Sequence, residues 1–162
     1  MSKTSKCRWQ DAFPGKLTAT ASEDWTIVLE LCERASANEA AAKEAARALR
    51  REFKYAVPSA QLSAARLWAI MLQNCSEVFT EQTASRKSLD AVEDVITSTR
   101  TTPVVRERLL EVLGTAAYHH TKNDKKHPFA VLWRKVKPQS APEQVRCYFL
   151  PPLKTFNYIQ YP

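Results

Sequence analysis

Glycine is almost missing from this chain: Gly15 and Gly114 are the only two in 162 residues. Phosphate-cradling loops need several glycines at fixed spacing so that the backbone can approach the ligand, so the dinucleotide and Walker-type loops are excluded. Long apolar runs are missing too. The longest lies around Leu67 to Leu72 and stops at Gln73-Asn74, far short of the roughly 20 residues that span a bilayer. The N-terminus carries charge with no apolar segment behind it, so no secretory signal is read there. Cysteine is sparse and scattered, at Cys7, Cys32, Cys75 and Cys147, with no C-x-x-C spacing. A disulfide framework is therefore not expected, and Cys32 and Cys75, in apolar helical contexts, read as small buried hydrophobes. These absences together give the expectation of a cytoplasmic protein.

Catalytic and metal motifs are absent as well. There is no H-E-x-x-H. His119-His120 and His127 fall in a polar stretch without acidic or thiolate partners at ligand spacing. Glu93-Asp94 is a carboxylate pair on a predicted helix, a pattern that ordinarily forms a solvated face, not an acid–base pair. The expectation is no enzyme, no cofactor and no metal.

What is present is helix-forming composition. Alanine, leucine, arginine, lysine and glutamate dominate the middle of the chain, and the length suits one domain with short extensions. Residues 1–17 read as an irregular basic arm containing Pro14-Gly15. Whether a short helix forms over Lys16 to Ala21 is left open. Ser22-Glu23-Asp24 looks like a helix start, with acids at the positive end of the dipole. Trp25, Val28, Leu29 and Cys32 then recur at helical spacing, widened by Ile27 and Leu31. Asn38 is a plausible cap for a helix from Glu39 to about Lys54, whose apolar line is Ala42, Ala45, Ala46, Leu49 and Phe53. Its small alanines would let a neighbouring helix come close. Val57-Pro58 ends it. The following helix, about Ala60 to Asn74, is apolar nearly all round, which predicts a central position. Further helices are predicted over Ser85–Ile96, from Pro103 through Ala116, and after Pro128. His119 to His127 is expected to be a polar, basic loop. The fold class is all-α: six or more helices joined by short loops, as a right-handed superhelix or a compact bundle. From Pro138 the chain turns linker-like, then aromatic, through Tyr148, Phe149, Phe156, Tyr158 and Tyr161. Residues 138–162 are expected to be an atypical, truncated or alternatively spliced tail.

The net charge is +7 and unevenly placed. Lys43, Arg47, Arg50, Arg51 and Lys54 face only Glu44 and Glu52 within their segment. Lys122, Lys125, Lys126, Arg134, Lys135 and Lys137 face only Asp124. Localised positive charge points to an anionic partner. Phe53, the aromatic residue among Arg47, Arg50, Arg51 and Lys54, belongs to the apolar line and leaves none on the basic stripe to stack bases, which favours anionic lipid, including phosphoinositides, over nucleic acid; a merely solvated face is the bland alternative.

Three motifs in order carry a family resemblance. Thr18-Ala-Thr-Ala-Ser-Glu-Asp-Trp25, followed by Val28-Leu29-Glu30-Leu31-Cys32-Glu33-Arg34-Ala35, resembles the opening of VHS domains, part of the ENTH/VHS superfamily. Ala42-Lys43-Glu44-Ala45-Ala46-Arg47-Ala48-Leu49-Arg50-Arg51 matches that family's K-E-A-x-R-A-L-R pattern. Gln61-Leu62, Leu67, Leu72-Gln73-Asn74-Cys75 and Phe79 resemble its Q-L…N-C-G…F element, with Ser76 where many relatives have glycine. The closing Phe129…Leu132-Trp133-Arg134-Lys135-Val136-Lys137-Pro138 resembles fungal VHS–GAT adaptors of the LAS-seventeen-binding type.

The resemblance implies a right-handed superhelix of about eight helices over residues 18–137. It also implies an adaptor in endocytic or vesicular protein transport, peripheral to endosomal, Golgi or plasma membranes. Many members bind ubiquitin through the second and fourth helices, and those contact positions map here onto Trp25, Leu29 and Asn74. An actin-regulatory partner is a further implication of the same likeness. Two alternatives stand beside it. One is a phosphoinositide-binding module without ubiquitin binding. The other is a phosphopeptide-binding superhelix that would use a basic groove in the later helices, with Arg106 and Arg108 available.

Overall fold

The computed structural model describes residues 25–121 and 126–139, without the side chains of Trp25 and Thr121. Among these residues there are seven helices and no strand: α1 Trp25–Ser36, α2 Glu39–Tyr55, α3 Pro58–Asn74, α4 Glu77–Thr83, α5 Arg86–Thr97, α6 Pro103–Thr121 and α7 Pro128–Val136. The acidic helix start at Ser22 to Asp24, the open question of a helix over Lys16 to Ala21, and the arm and tail all lie outside the described residues.

The helix boundaries have local causes. Asn38 sits in extended backbone, and its Oδ1 accepts from the Ala41 N–H at 2.8 Å, satisfying one of the orphan donors of a helix N-terminus. Pro58, Pro103 and Pro128 each stand in the first turn of their helices, where the missing N–H costs nothing. At the other end of α2 the Gln61 side-chain amide donates to the Phe53 carbonyl at 2.8 Å. The α5 C-terminus is closed by Arg106 of α6, whose guanidinium donates to the carbonyls of Ile96 at 3.0 Å and Ser98 at 2.8 Å.

Two readings of the sequence need correction. The helix α4 was not separated from its surroundings, because seven residues are too few for a 3.6-residue period to declare itself. The expected loop from His119 to His127 begins later: α6 continues to Thr121, so His119 and His120 belong to its last turn. Burial explains the extension, since Ala116 and Ala117 are still core residues and the helix runs on beyond its apolar face.

The central position predicted for α3 is observed. Ala64, Ala65, Leu67, Trp68, Ala69, Ile70 and Met71 are all buried. The helix packs against α6 on one side and α2 on another, while α2 also carries α1, α4 and α5. The α2 face that meets these neighbours is the predicted line of Ala42, Ala45, Ala46, Leu49 and Phe53. The last helix, α7, closes over α6 and α5 and inserts Phe129, Leu132 and Trp133. Trp68 joins the layers: its ring makes edge contacts with Phe53 of α2 (centroids 5.8 Å apart) and Phe129 of α7 (6.1 Å).

Truncating that indole leaves a void among α2, α3 and α7 that these helices cannot collapse into. Trp68→Ala is expected to destabilise the domain by about 3–5 kcal/mol, measured by urea unfolding. A loss below about 1 kcal/mol would show that Trp68 is not the central packing residue.

Candidate functional site

The sequence-derived ubiquitin positions lie on α1 and α3. In α1 the residues Val28, Leu31, Cys32 and Ala35 are buried, whereas Leu29 is 45 % exposed. Helix geometry explains the split, because Leu29 lies at the edge of the stripe that the other four turn inward. Trp25 opens α1 one turn before Leu29, and its side chain lies outside the described residues. Asn74 is the last residue of α3, half-buried, with its side-chain amide donating to the Ile70 carbonyl at 2.8 Å. It therefore closes its own helix end, the bland role for an asparagine there, while standing at the seam with α1.

That seam is polar and sulfur-containing. The Ser76 N–H donates to Ser36 Oγ at 2.9 Å, across forty residues of sequence. Ser36 and Cys32 both act on the Cys75 thiol from across the seam. Cys75 is thereby pushed far above the ordinary thiol range, first by its bond to Cys32 and then by burial. The same contact lowers Cys32 against the opposing effects of burial and Glu33. This chain of contacts fixes the C-terminal ends of α1 and α3 side by side. The sequence reading placed both cysteines in the core but missed their meeting, for which spacing along the chain carries no signal.

The basic residues of α2 share one stripe, since Arg47, Arg50, Arg51 and Lys54 are spaced i, i+3, i+4 and i+7. They are not equivalent. Arg47, Arg51 and Lys54 are exposed. Arg50 is half-buried and lines a shallow groove with Leu49, Phe53, Trp68, Thr83, Ser88 and Val92. Lys54 Nζ stands 4.0 Å from Asp94 of α5, an exposed pair worth little on its own. The neighbouring Glu93 pairs with Lys135 of α7. The Glu93-Asp94 pair thus bridges two basic helices. Arg106 and Arg108, the cations of the phosphopeptide alternative, are engaged within the fold: Arg106 with the α5 carbonyls and Arg108 with Glu111 at 2.8 Å.

Near the α6–α7 junction His120 and His127 stack at 4.5 Å, their planes 13° apart, and both rings touch Phe129. Among the described residues no group of three or more His, Cys, Asp or Glu side chains is placed to hold a metal ion. His120 titrates below the ordinary histidine range, chiefly through burial, with His127 and His119 adding repulsion and Glu77 opposing them.

No described helix is long and apolar enough to cross a membrane. The sequence model of the VHS domain matches residues 16–140, and the chain belongs to the VHS family. Among its relatives, the class E vacuolar protein-sorting machinery protein HSE1 of Coccidioides immitis is 29 % identical over 90 residues, which is 56 % of this chain and 15 % of the relative. HSE1 of Pyricularia oryzae is 30 % identical over 90 residues, 56 % of this chain and 12 % of its own. Vacuolar protein sorting-associated protein 27 of Yarrowia lipolytica is 29 % identical over 94 residues, 58 % of this chain and 17 % of its own. The chain thus spans less than a fifth of the length of these relatives.

The lowered His120 has a consequence for stability. A histidine that resists protonation in the fold but accepts it when unfolded favours the unfolded state as acid is added. Stability is expected to fall as pH drops from the unfolded value of about 6.5 through the lower folded value. His120→Phe, which keeps a ring against Phe129, is expected to flatten that fall when urea midpoints are compared from pH 7.5 to 5. Parallel curves for the two proteins would show that His120 is not responsible.

Proposed function

We propose that this chain is a VHS recognition module in vacuolar and endosomal protein sorting, and that the α1–α3 seam binds ubiquitin on ubiquitinated cargo. The observation that carries the reading is Leu29, an aliphatic side chain 45 % exposed on a helix whose other apolar residues from Val28 to Ala35 are buried. Support comes from Asn74 on the other side of the seam and from membership of a family whose relatives here are named for vacuolar protein sorting. A small apolar patch on a flat partner suits such a site. Its affinity is expected to be weak, in the high-micromolar to millimolar range, with avidity from further modules completing cargo capture. On this reading the protein is a non-enzymatic adaptor, peripheral to endosomal, Golgi or plasma membranes on their cytoplasmic side. An actin-regulatory partner remains an implication of the family likeness alone.

A second reading is supported by the α2 stripe. Arg47 and Arg51 project into solvent with Lys54 beside them, and each basic residue near an anionic bilayer contributes up to about 1 kcal/mol of attraction. The two readings are compatible, since the stripe and the seam use different residues.

Two measurements test them. Titrating ubiquitin into isotope-labelled protein is expected to shift the amide signals of Trp25, Leu29 and Asn74. Leu29→Asp is expected to weaken binding about tenfold or more, in line with a hot-spot loss of at least about 1.4 kcal/mol, while leaving the unfolding midpoint nearly unchanged because Leu29 is exposed. Shifts confined to other helices would overturn the site. For the stripe, co-sedimentation with vesicles containing phosphatidylserine or phosphoinositide is expected to weaken as salt rises and to fall severalfold in Arg47→Ala/Arg51→Ala. Retention on neutral vesicles, or indifference to salt, would count against it.

A further inference from the structure

The seam holds a pair of thiols whose chemistry the proposed recognition does not use. Cys32 is 5 % exposed in the core, and Cys75, half-buried, packs against that core from the C-cap of α3. Neither is in a disulfide. Their side chains act on one another across the seam, Cys32 within the core cluster and Cys75 packed against it, and the backbone on both sides is held. The Cys75 N–H donates to the Met71 carbonyl at 2.8 Å, and the next residue, Ser76, is fixed to Ser36, one helical turn beyond Cys32, at 2.9 Å. Two cysteines on neighbouring helix ends that are already tied together by the Ser76–Ser36 bond need little backbone motion to bond.

We propose that Cys32 and Cys75 form an oxidative modification site, in which a hydroperoxide converts the thiol pair into a disulfide that locks α1 to α3. The proposal stands whether or not the seam binds ubiquitin.

The chemistry balances with the hydroperoxide as the oxidant. After one proton leaves the pair, the thiolate attacks an oxygen of the peroxide. The O–O bond breaks, a sulfenic acid forms, and the other oxygen departs as hydroxide or alkoxide, which takes up a proton from water. The second sulfur then attacks the sulfenic sulfur. The S–S bond forms, the S–OH bond breaks, and hydroxide leaves with that thiol's proton as water. Two thiols are oxidised by two electrons, and one peroxide is reduced. Solvent reaches the pair from the Cys75 side, which is the less buried. Because the partner thiol is already in contact, the sulfenic acid is resolved within the domain before a second peroxide can over-oxidise it.

The bond would close a loop of about 40 residues enclosing α2 and α3, a length at which a cross-link strongly restricts the unfolded chain. It would also tie down the end of α1, adding a covalent link to the Ser76–Ser36 hydrogen bond and the apolar packing there.

The test uses the full chain carrying Cys7→Ser and Cys147→Ser, treated with a small excess of hydrogen peroxide and then alkylated. Non-reducing peptide mass spectrometry is expected to find one cross-linked species joining the Cys32 and Cys75 peptides, lighter by two hydrogens and reversed by dithiothreitol. The thermal midpoint is expected to rise by about 5–15 °C on oxidation and to return on reduction. Adding Cys75→Ser should abolish both effects. Cys32→Ala should abolish the cross-link and leave Cys75 to over-oxidise or dimerise; should that core substitution fail to fold, the Cys75→Ser comparison decides alone. Cys75 driven to sulfinic acid while Cys32 is alkylated as a free thiol would overturn the proposal, as would cross-linking only between molecules or a midpoint that falls on oxidation.

Discussion

The Trp68 indole is the contact on which the rest of the domain depends. It is 2 % exposed and stands between Phe53 of α2 and Phe129 of α7, so it ties α3 to the helix before it and to the last helix of the fold. Its burial belongs to a helix that is covered on most sides. The adjacent Leu67, Ala69, Ile70 and Met71 meet the same condition. Once α3 is enclosed in this way, α2 and α6 must present apolar stripes to it, and α7 must close the remaining side. The polar faces of those helices are left for solvent and for partners.

Helix ends, not helix faces, set the geometry of the candidate site. Apolar packing is non-directional and tolerates sliding, whereas a hydrogen bond to a specific carbonyl or hydroxyl does not. Arg106 closes the end of α5, Gln61 closes α2, and Ser36 receives the N–H of Ser76. The last of these carries the most consequence. It brings the ends of α1 and α3 together, places the Asn74 helix end on the seam, and forces two thiols into contact. Leu29, one turn before Cys32 on the same helix, is left as an exposed aliphatic group.

Charge is arranged around α5. Its Glu93 and Asp94 receive Lys135 from α7 and Lys54 from α2, so the acidic pair lies between the two basic segments of the sequence. Exposed pairs of this kind contribute only about 0–1 kcal/mol each, and their effect is chiefly on the field that the domain presents. At the outer end of the α2 stripe Arg47 and Arg51 are exposed. Lys54 sits beside Asp94, and Arg50 lines the groove together with Leu49 and Phe53.

Periodicity and punctuation were enough to determine the all-helical class, the apolar line of α2, the central place of α3, the Asn38 cap and the proline starts of the later helices. Each of these is governed by residues within a few positions of one another. Leu29 and Asn74 were also nameable from the sequence, though only by likeness to a family, because exposure at the edge of a stripe is not encoded in the stripe itself. The short helix α4, the run of α6 through His119 and His120, and the paired roles of Glu93 and Asp94 were decided by packing between segments. The meeting of Cys32 with Cys75 is of the same kind: two small residues, each reading as core on its own helix, become a reactive pair only because Ser36 and Ser76 hold those helix ends together. Local sequence dictates which face of a helix is buried, and only the tertiary fold decides what that face meets.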